Sequence, residues 1–123
     1  MKGWLGVWQE KFGHALRGLW VGFATGGSFY VHLPCALLVL VAGFVLQLGI
    51  VQWSLVILCT AMVLAAELFN TSIERLVRVV HPERDERVRD LLDLSAAAVL
   101  VISLAAATIG GMVFLDAVFA PSR

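Results

Sequence analysis

The sequence predicts an all-α membrane protein: a single domain over 1–123 with an N-terminal amphipathic surface helix and three transmembrane helices. Three observations point there. Hydrophobic residues make up 60% of the chain and the mean hydropathy is +0.90, above the range of ordinary soluble domains. The apolar residues gather into three runs, each near the ~20 residues that a helix needs to cross hydrocarbon. Finally, eight of nine Lys and Arg fall in two blocks, Lys2, Lys11 and Arg17, then Arg75, Arg78, Arg84, Arg87 and Arg89; Arg123 stands apart.

Each element has its own signal. Over 1–28, Trp4, Trp8, Phe12, Leu16, Leu19 and Phe23 recur at helical spacing, with Lys11, His14 and Arg17 on another face. Such a helix suits a membrane interface, and packing against the other helices of the chain is the alternative. ATGGSF (24–29) interrupts it as a hinge. The first crossing is predicted at 31–50, with Pro34 in its first turn, where a missing N–H costs nothing. After a short uncharged connection, the second crossing and its cytoplasmic extension run over 53–80. Pro82 ends it and opens a charged loop at 81–90, HPERDERVRD. The third crossing follows at 91–116.

Three crossings put both basic blocks on one side. The positive-inside rule makes that side cytoplasmic, with the N-terminus inside and the C-terminus outside a cell's inner membrane. A cysteine introduced at Ser122 is then reached by an external label and one at Asp85 is not. The first run is not expected to be a cleaved signal, since thirty residues precede it. A formal net charge of zero gives no basis for a nucleic-acid partner. Cys35 and Cys59 lie in apolar runs and suggest neither a disulfide nor a metal–thiolate site.

ELFNTSIE (67–74) interrupts the second apolar run with two carboxylates and an amide. Glu67, Asn70 and Glu74 fall within about 60° of one another on a helix, so they share a face. Carboxylates at membrane depth are costly unless paired, hydrated or neutralised, and they mark functional candidates. Oxygen ligands of this kind suit Mg²⁺ held jointly with substrate phosphates. A carboxylate not engaged by metal can orient or deprotonate a hydroxyl. The residues also allow a plainer reading, in which Arg78 pairs with Glu74 at i+4 and Asn70 hydrogen-bonds a neighbouring helix.

ELFNTSIE at 67–74, followed after the charged loop by DLSAAAVL at 93–100, resembles the small prokaryotic membrane lipid kinases, which include diacylglycerol kinase and undecaprenol kinase. FGHALRGLWVGFATGGSFYVHL (12–33) is similar to the N-terminal part of that family, and His32 with its apolar neighbours looks more like the undecaprenol-type members. The resemblance implies a homotrimer with active sites between subunits, and phosphoryl transfer from ATP, with Mg²⁺, to a lipid alcohol among membrane lipids. It implies Glu67 as the base facing the lipid hydroxyl and Glu74 as the magnesium ligand. Asn70 would help fix the metal and triphosphate, and Asp93 would contact the nucleotide.

The chain departs from the pattern at several positions. Gly26 stands where a second metal-binding glutamate is usual, Arg78 replaces an acid, Leu92 replaces a lysine that would meet phosphate, and Tyr30 replaces an arginine. Gly27 and Ser28 flatten the same polar segment. Two readings follow. In one, the chain is a divergent kinase in which Arg78 or a loop arginine supplies the charge that Leu92 lacks. Restoring Glu at 26 and Lys at 92 then raises its activity. In the other it is a non-catalytic membrane scaffold or lipid-binding subunit. A transporter or channel fits less well, because the first crossing holds no Asp, Glu, Lys or Arg and the third holds only Asp93 before its last residue, Asp116.

Overall fold

The computed structural model describes residues 3–27, 29–83 and 85–119; Ser28, Arg84, Lys2, Ser122 and Arg123 lie outside the described residues. Among the described residues the chain forms four helices and no strand: α1 (Trp4–Thr25), α2 (Phe29–Val45), α3 (Ile50–Val80) and α4 (Glu86–Phe119). The protein is an all-α membrane protein. The helices α3 and α4, of 31 and 34 residues, are long and apolar enough to cross a bilayer. At about 46 and 51 Å they exceed the ~30 Å of hydrocarbon, so each projects well beyond it. The first predicted crossing falls on α2, which holds no Asp, Glu, Lys or Arg and joins α1 at a bend of 106°. Its 17 residues reach about 25 Å.

Several helix boundaries differ from the sequence reading: α3 begins at Ile50 rather than 53 and α4 runs to Phe119 rather than 116, and three others have a visible local reason. The helix α2 starts at Phe29, two residues early, which places Pro34 inside the helix rather than in its first turn. Pro34 cannot donate to the Tyr30 carbonyl, so a hydrogen bond is missing there. At its far end α2 stops at Val45 rather than at residue 50, because Gln47 adopts a left-handed conformation (φ 52°) and the Leu48 N–H turns back to the Gly43 carbonyl at 3.1 Å. The charged loop is shorter than 81–90, since α4 begins at Glu86. Asp85 caps it, its Oδ1 accepting from the Val88 N–H at 2.9 Å.

The helices α3 and α4 form the main hairpin, and α2 lies against α3. At the end of the bundle near the α2–α3 turn, Leu48, Val56 and Val113 are buried, with Val39, Leu46, Trp53, Phe114 and Ala117 packed around them. Gly43 lets Trp53 approach: a Cβ there would lie 2.8 Å from the indole Cη2. The Gln52 amide closes this end, accepting from the Gly49 N–H at 3.0 Å and donating to Asp116 Oδ2 at 2.9 Å.

At the other end α1 packs on α2 and α3 through its last turn. Gly22 is buried against Leu68, where a Cβ would collide with that leucine's methyl, and the Phe23 and Phe29 rings meet edge to face at 4.9 Å. Trp4, Trp8, Phe12 and Leu16 are all exposed within the chain. Trp8 carries Lys11 over its ring at 5.1 Å. Of the stripe, Phe23 packs on the chain's own α2, while its N-terminal members face outward within the chain, and an aromatic face beside basic residues suits the headgroup region.

Candidate active site

The helix α3 carries the polar row because its one-turn and two-turn spacings align Glu67, Asn70 and Glu74 along one side. Burial falls along the row: Glu67 is 2% exposed, Asn70 is buried, and Glu74 is partly exposed where α3 leaves the apolar part of the bundle. The row thus runs from a nearly dry carboxylate to a wet one.

Each member has a partner from another element or from the next turn. His32 of α2 lies with Nε2 2.8 Å from Glu67 Oε1. The second oxygen, Oε2, is buried and has no hydrogen-bond partner among the described residues. Asn70 sits between two others: its Nδ2 donates to Glu74 Oε1 at 3.1 Å, and its Oδ1 accepts from Ser95 Oγ of α4 at 2.7 Å. Ser95 also donates to the Leu92 carbonyl at 2.9 Å. Arg78 Nη2 stands 3.6 Å from Glu74 Oε2, on a largely exposed side chain, so that pair contributes little. The plainer sequence reading of these pairs, Arg78 with Glu74 and Asn70 with a neighbouring helix, is realised alongside the row.

Of the sequence-predicted residues, Glu67, Asn70, Glu74 and Arg78 therefore come together on one helix. Asp93 does not join them. It is exposed on α4, beside Arg89 and Leu92 in a shallow groove that also takes in Asp85 and Glu86. Among the described residues no three His, Cys, Asp or Glu side chains converge as a metal cage. The donor set still fits a magnesium ion brought by phosphates, which needs only one or two protein carboxylates. Glu74 would supply one and the Asn70 amide would hold it in place.

The structure brings in residues that sequence reasoning missed. His32 is the partner of Glu67, although nothing at i+4 of Glu67 suggested one; a lone imidazole in an apolar run was the available signal. Ser95, a small residue inside an apolar run, gave no signal of its own in the sequence. Arg75 donates to Thr25 Oγ1, tying α3 to the end of α1 beside Gly26. Gly26 itself is enclosed. A Cβ there would lie 2.6 Å from Phe29 Cδ2 and 2.7 Å from the Gly22 carbonyl oxygen, so a glutamate at 26 cannot enter this turn unless it moves. An apolar cavity of about 310 Å³ opens beside the row, lined by His32, Cys35, Val39, Cys59, Leu64 and Ser103 among others.

Fold and site together define a small helical membrane protein that sets a buried carboxylate at the foot of a polar row on a membrane-crossing helix. Comparison with known proteins gives the family: residues 13–114 match the model of prokaryotic diacylglycerol kinase, and the chain belongs to this family of small prokaryotic membrane lipid kinases. It is 32% identical over 106 residues to the undecaprenol kinase of Bacillus subtilis, covering 86% of each chain. To the diacylglycerol kinase of Synechocystis sp. it is 30% identical over 106 residues, covering 85% of this chain and 61% of that one. No solved structure matches the chain.

Proposed function

We propose that the protein transfers the γ-phosphoryl group of ATP to the hydroxyl of a membrane lipid alcohol, undecaprenol or diacylglycerol. The observation that carries this reading is Glu67, a carboxylate 2% exposed, with one oxygen held by His32 and the other unpartnered, one and two turns from Asn70 and Glu74. Phosphoryl transfer asks mainly for positioning and charge neutralisation, with one group aligning the nucleophile. Glu67 takes the hydroxyl proton while the lipid oxygen bonds to the γ-phosphorus. The bond from that phosphorus to the bridging oxygen breaks, and its electron pair leaves with ADP. Glu74 ligates magnesium, which supplies charge neutralisation when bound with the triphosphate. Asn70 keeps Glu74 aimed, Arg75 and Arg78 offer the positive charge that Leu92 does not, and Asp93 contacts the nucleotide. The similarity to the Bacillus subtilis undecaprenol kinase over most of both chains supports the lipid acceptor class.

The protein acts as a homotrimer in the inner membrane, with the N-terminus and the 81–85 loop cytoplasmic and the C-terminus external. One protomer offers a single carboxylate to the metal, and Asp93 lies apart from the row; in this reading a neighbouring subunit completes the site. The intact complex in lipid should have three times the mass of the chain, and a monomer would sink this part of the reading.

A second reading is favoured by one observation. Gly26 has no room for the acid usual at that position, and Leu92 carries no charge, as expected of a family relative that serves as a membrane scaffold or lipid-binding subunit. ATP consumption by the purified protein in lipid, with undecaprenol, diacylglycerol or no acceptor, separates the two. Glu67→Gln should lower turnover with Mg·ATP affinity kept, whereas Glu74→Gln should weaken Mg·ATP binding. If calorimetry finds no Mg·ATP binding and neither lipid alcohol raises ATP consumption, the kinase reading fails and the scaffold reading stands.

A further inference from the structure

We propose that His32 is a positioning residue for the transfer: its imidazole holds Oε1 of Glu67 so that Oε2 faces the acceptor hydroxyl. The inference rests on the reading of Glu67 as the base. Its ground is an asymmetry in the carboxylate. Oε1 lies 2.8 Å from His32 Nε2, while Oε2 is equally enclosed and meets no donor among the described residues. An ionised carboxylate can accept about four hydrogen bonds, and leaving a buried acceptor unsatisfied is expensive. A histidine that served stability alone would leave that cost in place. The arrangement is accounted for if a hydroxyl from outside the chain donates to Oε2 when substrate binds.

The surroundings suit that role. Glu67 and His32 come from different helices, so the hydrogen bond fixes α2 against α3 at the height of the carboxylate. His32 also lines the apolar cavity between α2, α3 and α4, whose other lining residues include Cys35, Val39, Leu64 and Ser103. The imidazole thus stands between the carboxylate and an apolar space. In the transfer itself His32 keeps its Nε2 proton and only donates. The acceptor O–H bond breaks with its proton going to Oε2, the oxygen–phosphorus bond forms, and the γ-phosphorus to bridging-oxygen bond breaks onto ADP.

The test uses the full chain in lipid bilayers and four variants: His32→Leu, His32→Gln, His32→Asn and Glu67→Gln. Gln can present its amide nitrogen where Nε2 stands, whereas Asn is too short to reach Oε1. His32→Leu and His32→Asn should each lower kcat by about 10- to 100-fold, the worth of one hydrogen bond to a charged group, with KM for Mg·ATP unchanged. His32→Gln should recover most of that loss. Equal loss in Gln and Asn, or wild-type kcat in Leu or Asn, overturns the proposal while leaving Glu67 as the base if Glu67→Gln is inactive. Wild-type kcat in Glu67→Gln removes the base reading and this inference with it. A readout independent of turnover is the Nε2–H resonance of ring-¹⁵N-labelled His32, which should shift in Glu67→Gln. A resonance that does not respond overturns the proposal, because the hydrogen bond would then be absent.

Discussion

Asn70 joins the buried and wet parts of the row, and its contribution can be measured apart from catalysis. Replacing it with Leu keeps the approximate shape and removes two hydrogen bonds, from Ser95 at 2.7 Å and to Glu74 at 3.1 Å. Neither loss is worth a full hydrogen bond. Ser95 retains the Leu92 carbonyl at 2.9 Å as an acceptor, and Glu74 is 41% exposed at its side chain, where water takes the place of the amide. An apolar side chain also suits neighbours such as Ile73, Ala98 and Ile102. The total change on Asn70→Leu is therefore a poor measure, and the coupling in a double-mutant cycle with Ser95→Ala is the better one. Interhelical hydrogen bonds in membrane proteins average about 0.6 kcal/mol, with a ceiling near 1.7. We expect about 0.6 kcal/mol between Asn70 and Ser95, read from reversible unfolding of the four proteins in mixed micelles. Calorimetry on the same proteins should show weaker Mg·ATP binding for Asn70→Leu than for Ser95→Ala, since only the former releases Glu74. A coupling of zero together with identical nucleotide affinities would refute the view of Asn70 as a link between α4 and the metal ligand.

Three further outcomes follow from the geometry. Leu92→Lys should tighten Mg·ATP binding by about tenfold, near one charge-assisted hydrogen bond, whereas Gly26→Glu should lower the thermal midpoint and add no affinity, because Phe29 and the Gly22 carbonyl occupy its Cβ position. A Gly26→Glu protein as stable as wild type and tighter for Mg·ATP would contradict the enclosed turn. The Val88 N–H first, and Arg87 and His81 beside it, hold the Asp85 carboxyl below its ordinary 3.8 against the opposing desolvation. Asp85 thus adds stability that is fully present above about pH 4 and is lost as pH falls through its lowered folded value; Asp85→Asn, an equally good cap, should flatten that acid dependence in unfolding measured against pH. In a protein whose Cys35 and Cys59 are replaced by Ala, an impermeant external thiol reagent should label a cysteine at Val118 and spare one at Asp85, and the opposite pattern would reverse the proposed topology.

Much of the architecture was legible because it follows from local rules. Apolar runs of bilayer length specify crossings, and the 100° step of a helix puts Glu67, Asn70 and Glu74 on one face whatever they meet. Boundaries were less legible where a single backbone event decides them, as with the left-handed Gln47 that ends α2 and the Asp85 cap that starts α4 inside the charged stretch. Those events depend on competition between nearby hydrogen bonds, which periodicity does not report.

The sequence by itself determined that this chain places two carboxylates and an amide along one side of a membrane-crossing helix, and that it belongs with proteins built the same way. Only the tertiary structure decided what each of them meets. His32 reaches Glu67, and Ser95 reaches Asn70, because α2, α3 and α4 settle at one relative height. Close approaches seat these helices: Gly43 of α2 against Trp53 of α3, with Gly22 of α1 against Leu68 of α3 at the other end. The same packing encloses Gly26 and keeps Asp93 away from the row. Partners across helices depend on the register between them, and register is a property of side-chain shape in three dimensions that no spacing along one chain encodes.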